Sequence, residues 1–168
     1  TRARAFGLKV AAWSRSLTPE KAEDMDVEYC RDVIDLAGKS DIVSVHLALT
    51  GDTRGLFGKD FFNAMKKGAF FINTSRAEVV DEDALYEAVT LKGIKAGLDV
   101  FNGEPSSGTG EIKNTLAGLP NVYCTHHIGA STQQAQDAIS DEAIKIIRDY
   151  ISTGRVRNCV NLLEKTPA

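Results

Sequence analysis

Apolar residues in this chain gather in short runs, separated by stretches where they recur every three or four positions. Residues 8–13, 41–47, 69–73, 94–100 and 121–124 form the short runs, and each predicts a buried strand. Residues 59–67 place Phe61, Phe62 and Met65 at helical spacing, with Lys66 and Lys67 at the C-terminal end and Gly68 as terminator. Asp81 is placed to cap a helix carrying Ala84, Leu85, Ala88 and Val89 on one face, and Gly93 ends it. A longer helix is predicted from about Ser131 to about Ile151 and stopped by Gly154. Its stripe of Ala135, Ile139, Ala143, Ile146 and Tyr150 reads as core packing. Strands and helices alternate, so the expected fold class is α/β, a doubly wound parallel sheet covered on both faces. Residues 106–110 read as a flexible loop. The spacing of Gly108 and Gly110 there follows no strand and lacks a third glycine, which argues against a phosphate-binding loop.

Composition narrows the function classes. The chain has 168 residues, 43% hydrophobic and 26% charged, which suits one domain with a real core. A net charge of −3 advertises no basic surface for nucleic acid or an anionic membrane. No apolar run approaches membrane-spanning length. Three cysteines, Cys30, Cys124 and Cys159, stand far apart in an odd number, so a disulfide framework is not expected and a reducing, cytoplasmic compartment fits. Cys124 lies in an apolar run and reads as a small buried hydrophobe. No metal-ligand spacing is present, and no metal is expected.

Candidate chemistry concentrates in three segments. Asn73-Thr74-Ser75-Arg76 follows one strand-like run, Asp99 to Glu104 follows another, and His126-His127-Ile128-Gly129-Ala130 follows a third. They offer an arginine, carboxylates and a histidine, each near a strand end. Arginine can grip a carboxylate through a two-pronged hydrogen bond. Histidine can exchange a proton near neutral pH, and an adjacent carboxylate can orient it. The set suits proton and hydride chemistry on a 2-oxo or 2-hydroxy acid.

On these segments, in this order and spacing, the chain resembles the nucleotide-binding domain of the D-isomer-specific 2-hydroxyacid dehydrogenases, nearly end to end. The resemblance implies a Rossmann-like fold and an NAD(H) or NADP(H) cofactor. It implies catalytic roles for three residues. Arg76 would bind the substrate carboxylate, His127 would act as general acid and base, and Glu104 would hydrogen-bond to the histidine. Alignment on Ile128-Gly129 selects His127 over His126, and His46 reads as structural. Implied cofactor contacts are Ser14, Arg15, Ser16, Leu47, Thr74, Ser75, Arg76, Asp99, His127, Gly129 and Ala130. Three positions depart from the family pattern: Ala48 and His126 stand where proline is usual, and Ala77 where glycine is usual.

Ser14 occupies the place where an acidic residue holds the ribose hydroxyls in the NAD-preferring pattern. Two readings stay open. Arg15 and Ser16 hold the 2′-phosphate of NADP, or Arg15 is a solvated surface charge and the cofactor is NAD. The run from Gly129 to Gln136 is most similar to the phosphoglycerate dehydrogenase branch, which implies conversion of 3-phospho-D-glycerate to 3-phosphohydroxypyruvate in serine biosynthesis. A glyoxylate or hydroxypyruvate reductase is the alternative substrate reading. An NAD-sensing, corepressor-like binding module is the alternative of another class. A homodimer is the implied assembly. Residues 1–152 would be the nucleotide-binding domain without its first strand and glycine loop, and 153–168 a return segment toward a substrate domain. By itself this length of chain is expected to be inactive.

Overall fold

The computed structural model describes residues 2–104 and 114–159. It divides into two compact units, residues 1–127 and 128–168.

The first unit opens with a short helix, α1 (Arg2–Ala5), and a two-residue strand, β1 (Ala11–Ala12). Three elements that the apolar pattern does not reveal come next: α2 (Pro19–Asp24), β2 (Glu28–Tyr29) and α3 (Val33–Lys39). Both helices carry their own start signals. Thr18 accepts from Lys21 N–H ahead of Pro19, and Asp32 accepts from Asp35 N–H at 2.7 Å. The strands and helices that follow are β3 (Ile42–Val45), α4 (Lys59–Ala64), β4 (Phe70–Asn73), α5 (Glu82–Lys92), β5 (Lys95–Leu98) and β6 (Val122–Cys124). Asp81 caps α5 by accepting from Ala84 N–H at 3.1 Å, and Gly93 ends it in the left-handed conformation at φ 69°.

Among the described residues all strand pairs are parallel. β1 pairs with β2, and a separate sheet runs β3-β4-β5-β6. Side chains along β3, β4 and β5 alternate in burial, so one face of the sheet carries the core. Val43, Val45, Phe71, Ala96 and Leu98 meet Val33 and Ala37 of α3, Phe61 and Phe62 of α4, and Leu85 and Val89 of α5 in a single core. Phe57, Phe61, Phe62 and Phe71 contact edge to face, with centroids 4.8 to 5.9 Å apart. On the opposite face Ile42, Phe70 and Tyr123 are exposed, and Lys95 stands over the Phe70 ring. Helices α3, α4 and α5 cover the face that carries Val43, Phe71 and Ala96, within the parallel α/β fold that the sequence pattern predicts.

Thr132 caps α6 (Gln133–Thr153) in the second unit. Its stripe is not core: no residue of α6 is buried, and Ile139 and Tyr150 are 61% and 59% exposed. The described part of that unit holds this one helix, so within the unit no second element is described for the stripe to pack against. Residues 105–113 and 160–168, which include Pro105, Gly108, Gly110 and the greater part of the return segment 153–168, lie outside the described residues.

Candidate active site

Register builds the site. Val45 pairs with Asn73, Asn73 with Leu98, and Leu98 with Cys124, so four parallel strands end on one level. Neighbouring strands lie about 4.8 Å apart. The residues just beyond each strand therefore emerge along one rim: Leu47, then Thr74, Ser75 and Arg76, then Asp99, then Thr125 to His127. Strand ends of this kind are where open parallel sheets collect ligands.

The rim is organised by buried polar groups. Asn73 is almost fully buried, and its side chain shapes the turn that carries Arg76. Its Oδ1 accepts from Ser75 N–H at 3.0 Å and from Ser75 Oγ at 2.8 Å, while its Nδ2 donates to the Arg76 carbonyl at 2.9 Å. Such local side-chain bonds let the chain leave the strand without orphaned backbone groups. Asp99 is also buried, and its N–H donates to the Asn73 carbonyl at 3.1 Å. The Thr125 hydroxyl donates to its carboxylate.

The structure brings Glu104 and His127 together. His127 Nδ1 lies 2.8 Å from Glu104 Oε2, and Glu104 Oε1 accepts from Phe101 N–H at 2.7 Å. Gly103 at φ 80° turns the chain back so that the carboxylate can reach both partners. With Nδ1–H donating to Glu104, Nε2 is left as the nitrogen that can exchange a proton with a ligand. The His127 side chain is about half exposed. Its backbone sits at φ 57°, in the left-handed region that residues other than glycine seldom occupy. Its N–H donates to the Asp99 carbonyl at 2.8 Å, which holds it there. An unusual backbone conformation held in place by its surroundings points to function.

Arg76 is exposed on the neighbouring strand's exit, and its Nη1 donates to the Ser75 carbonyl at 2.7 Å rather than to the dyad. Leu47 is half-buried against the core, and Thr74 is exposed. Ser14, Arg15 and Ser16 follow β1, and Arg15 reaches Asp52 beyond β3, with Nη1 3.5 Å from Oδ2. Gly129 and Ala130 form an exposed turn in the second unit. His126 is exposed and lines a cavity of about 190 Å³ with Phe101, Asn114, Ala117, Cys124 and Thr125. His46 is not in the strand; it is exposed just after β3, with its Nε2 2.9 Å from Ser44 Oγ. Cys124 is only partly buried, and burial pushes its thiol up, which does not suit a nucleophile. Sequence reasoning missed Thr125 and the structural role of Asn73. The one available signal was a polar residue at the end of an apolar strand.

A family profile described as "D-isomer specific 2-hydroxyacid dehydrogenase, NAD binding domain" matches residues 1–129. The chain is 43% identical over 148 residues to a hydroxypyruvate reductase of Thermotoga maritima, a match covering 87% of this chain and 46% of that protein. It is 36% identical over 162 residues to D-3-phosphoglycerate dehydrogenase of Methanocaldococcus jannaschii, covering 96% of this chain and 30% of that protein. Among solved structures, the NADPH-dependent glyoxylate/hydroxypyruvate reductase of Sinorhizobium meliloti, in complex with NADP and malonate, matches with a TM-score of 0.79 at 28% identity. That match covers 93% of this chain and 46% of the other. The chain thus spans about half or less of the length of these relatives.

Proposed function

Because the chain belongs to the D-isomer-specific 2-hydroxyacid dehydrogenases, through their NAD-binding domain, we propose that the full-length protein interconverts a D-2-hydroxy acid and its 2-oxo acid, with His127 and Glu104 managing the proton. The observation that carries this reading is the 2.8 Å contact between His127 Nδ1 and the Glu104 carboxylate at the strand-end rim. The rim suits a nicotinamide dinucleotide by its chemistry. It offers the half-buried apolar Leu47, the exposed Thr74 hydroxyl and the buried Asp99 carboxylate. When bound, the nicotinamide supplies or accepts the hydride.

Arg76 grips the substrate carboxylate in this proposal, moving its guanidinium from the Ser75 carbonyl to do so. His127 Nε2 gives a proton to the C2 oxygen in reduction and takes it back in oxidation. Glu104 fixes the imidazole through Nδ1 and stabilises its charged form, as a carboxylate partner does in other carboxylate–histidine pairs. Asp99 is the group offered to the nicotinamide amide, and Gly129 and Ala130 are further backbone contacts. Arg15 and Ser16 are the groups offered to a 2′-phosphate.

The substrate class that fits the relatives is the hydroxypyruvate skeleton, with or without a 3-phosphate. The phosphorylated form, reached from 3-phospho-D-glycerate in serine biosynthesis, is our first reading. Free hydroxypyruvate or glyoxylate is the second, favoured by the Thermotoga reductase and by Ser14-Arg15-Ser16. A panel of 3-phosphohydroxypyruvate, hydroxypyruvate and glyoxylate, each with NADH and NADPH, tests both on the full-length protein. Absence of turnover with every pair, with nucleotide still bound, would favour a nucleotide-sensing module instead.

We further propose a cytoplasmic homodimer, in keeping with the cysteine usage and the family. Among the described residues no helix is long and apolar enough to cross a membrane. The unfinished sheet supports a nucleotide-binding domain completed by more chain. β1 pairs only with β2, and β3 only with β4, among the described residues. A further parallel strand between β1 and β3 would make β2, β1, that strand, β3, β4 and β5 the 3-2-1-4-5-6 order of dinucleotide-binding sheets, with β6 as a seventh strand at the edge.

A further inference from the structure

Glu82 stands in the first turn of α5, where an acidic side chain ordinarily complements the helix dipole. The cap itself is supplied by Asp81, so Glu82 is not needed for it. Its carboxylate is instead committed to two residues far away in the chain. Oε1 accepts from Asn102 N–H at 2.8 Å, and Oε2 accepts from the Asn114 side-chain amide at 2.8 Å. Asn114 is fixed in turn, since its Oδ1 accepts from Leu116 N–H at 2.9 Å, at the start of a short 3-10 turn whose Leu116 is fully buried. One carboxylate thus ties the segment before Glu104 to the buried anchor at Leu116. Both bonds are charge-assisted, the stronger kind.

The grip bears directly on the dyad. Asn102 N–H, held by Glu82, is the next backbone donor after Phe101 N–H, which holds Glu104 Oε1 at 2.7 Å. Glu104 Oε2 then meets His127 Nδ1. Resting on the proposed dehydrogenase reading, we infer that Glu82 is a positioning residue for the proton-transferring pair, setting where the Glu104 carboxylate stands and thereby the orientation of His127. It touches neither substrate nor cofactor. It acts through the 101–104 backbone, as outer partners tune the groups that do the chemistry.

The test replaces Glu82 in the full-length protein by Ala and by Gln. Glu82→Gln keeps an acceptor for Asn102 N–H but turns an amide donor toward the Asn114 amide, so one of the two bonds survives. Expected results are a roughly tenfold fall in kcat for Glu82→Ala and a smaller fall for Glu82→Gln, with nucleotide KM within about twofold in both. The low-field proton resonance of the His127 Nδ1–H···Glu104 bond should shift or broaden in the same order. A merely structural role would lower the melting temperature and leave that resonance in place in the folded protein. Wild-type kcat with an unmoved resonance in Glu82→Gln and Glu82→Ala would overturn the inference. So would equal loss of kcat and nucleotide affinity. Absence of turnover in the wild type would defeat the dehydrogenase reading alone, because the resonance reports the positioning without catalysis.

Discussion

Replacing Glu104 by Gln removes one charge and one acceptor while keeping the shape. The carboxylate now serves two donors, Phe101 N–H at 2.7 Å and His127 Nδ1–H at 2.8 Å. Glutamine has one acceptor oxygen and one donor amide. If its oxygen stays on Phe101 N–H, the amide faces Nδ1 and forces the imidazole proton onto Nε2. The nitrogen meant to accept a proton is then already occupied. If the oxygen turns to Nδ1–H instead, the amide meets another donor at Phe101. Either arrangement loses one charge-assisted bond, worth about 1.5–3 kcal/mol. The His127 side chain is 52% exposed, so water replaces part of it, and the lower half of that range applies. The loss of charge beside the imidazolium adds to it. The expected total of about 2–3 kcal/mol is a roughly 30- to 150-fold fall in kcat. Nucleotide affinity should hold within about twofold, because Glu104 faces the histidine and not the cofactor contacts. Steady-state oxidation of reduced nucleotide by 2-oxo acids gives kcat, and fluorescence titration gives the binding constant. A variant within about threefold of wild-type kcat would refute the role assigned to the pair.

Three further outcomes are expected. Asp52→Asn should free Arg15 from its exposed pairing and improve kcat/KM for NADPH over NADH by about threefold, the scale of a surface ion pair; an equal response with both nucleotides would place Arg15 away from the 2′-phosphate. Phe71→Ala should cost about 3–5 kcal/mol in urea unfolding, since Phe71 is fully buried between Phe57, Phe61 and Phe62; a loss below about 1 kcal/mol would contradict the packing described. Burial pushes the Cys30 thiol up, so the folded state holds its proton longer than the unfolded chain. Its contribution is then fully present below the unfolded value near 8.5 and falls as pH climbs above it. Native protein should accordingly be alkylated at exposed Cys159 well before Cys30, and equal labelling rates would count against that burial.

Local signals in the sequence carried the later half of the fold. Asp81 and Gly93 bracket α5 as their chemistry dictates, because capping depends on residues within one turn. Phe61, Phe62 and Met65 are core residues, as their spacing implies. The early half was less legible. β1 and β2 are two residues each, too short for any periodicity, and β2 carries an exposed Glu28. The α6 stripe has helical spacing, but spacing cannot say what covers a helix. At the rim, residue types and order marked the three segments, and the family resemblance singled out Arg76, Glu104 and His127 within them. The left-handed backbone of His127 was hidden, because it depends on the Asp99 carbonyl of another strand. Glu82 was hidden for the same reason: its partners Asn102 and Asn114 are joined to it only by the tertiary fold.

The most direct test compares His127→Ala with His126→Ala in the full-length protein, measuring kcat and nucleotide binding together. Loss of roughly a thousandfold in kcat for His127→Ala alone, with nucleotide binding kept, is the predicted result. Near-normal turnover by His127→Ala, with the loss appearing in His126→Ala, would contradict the account.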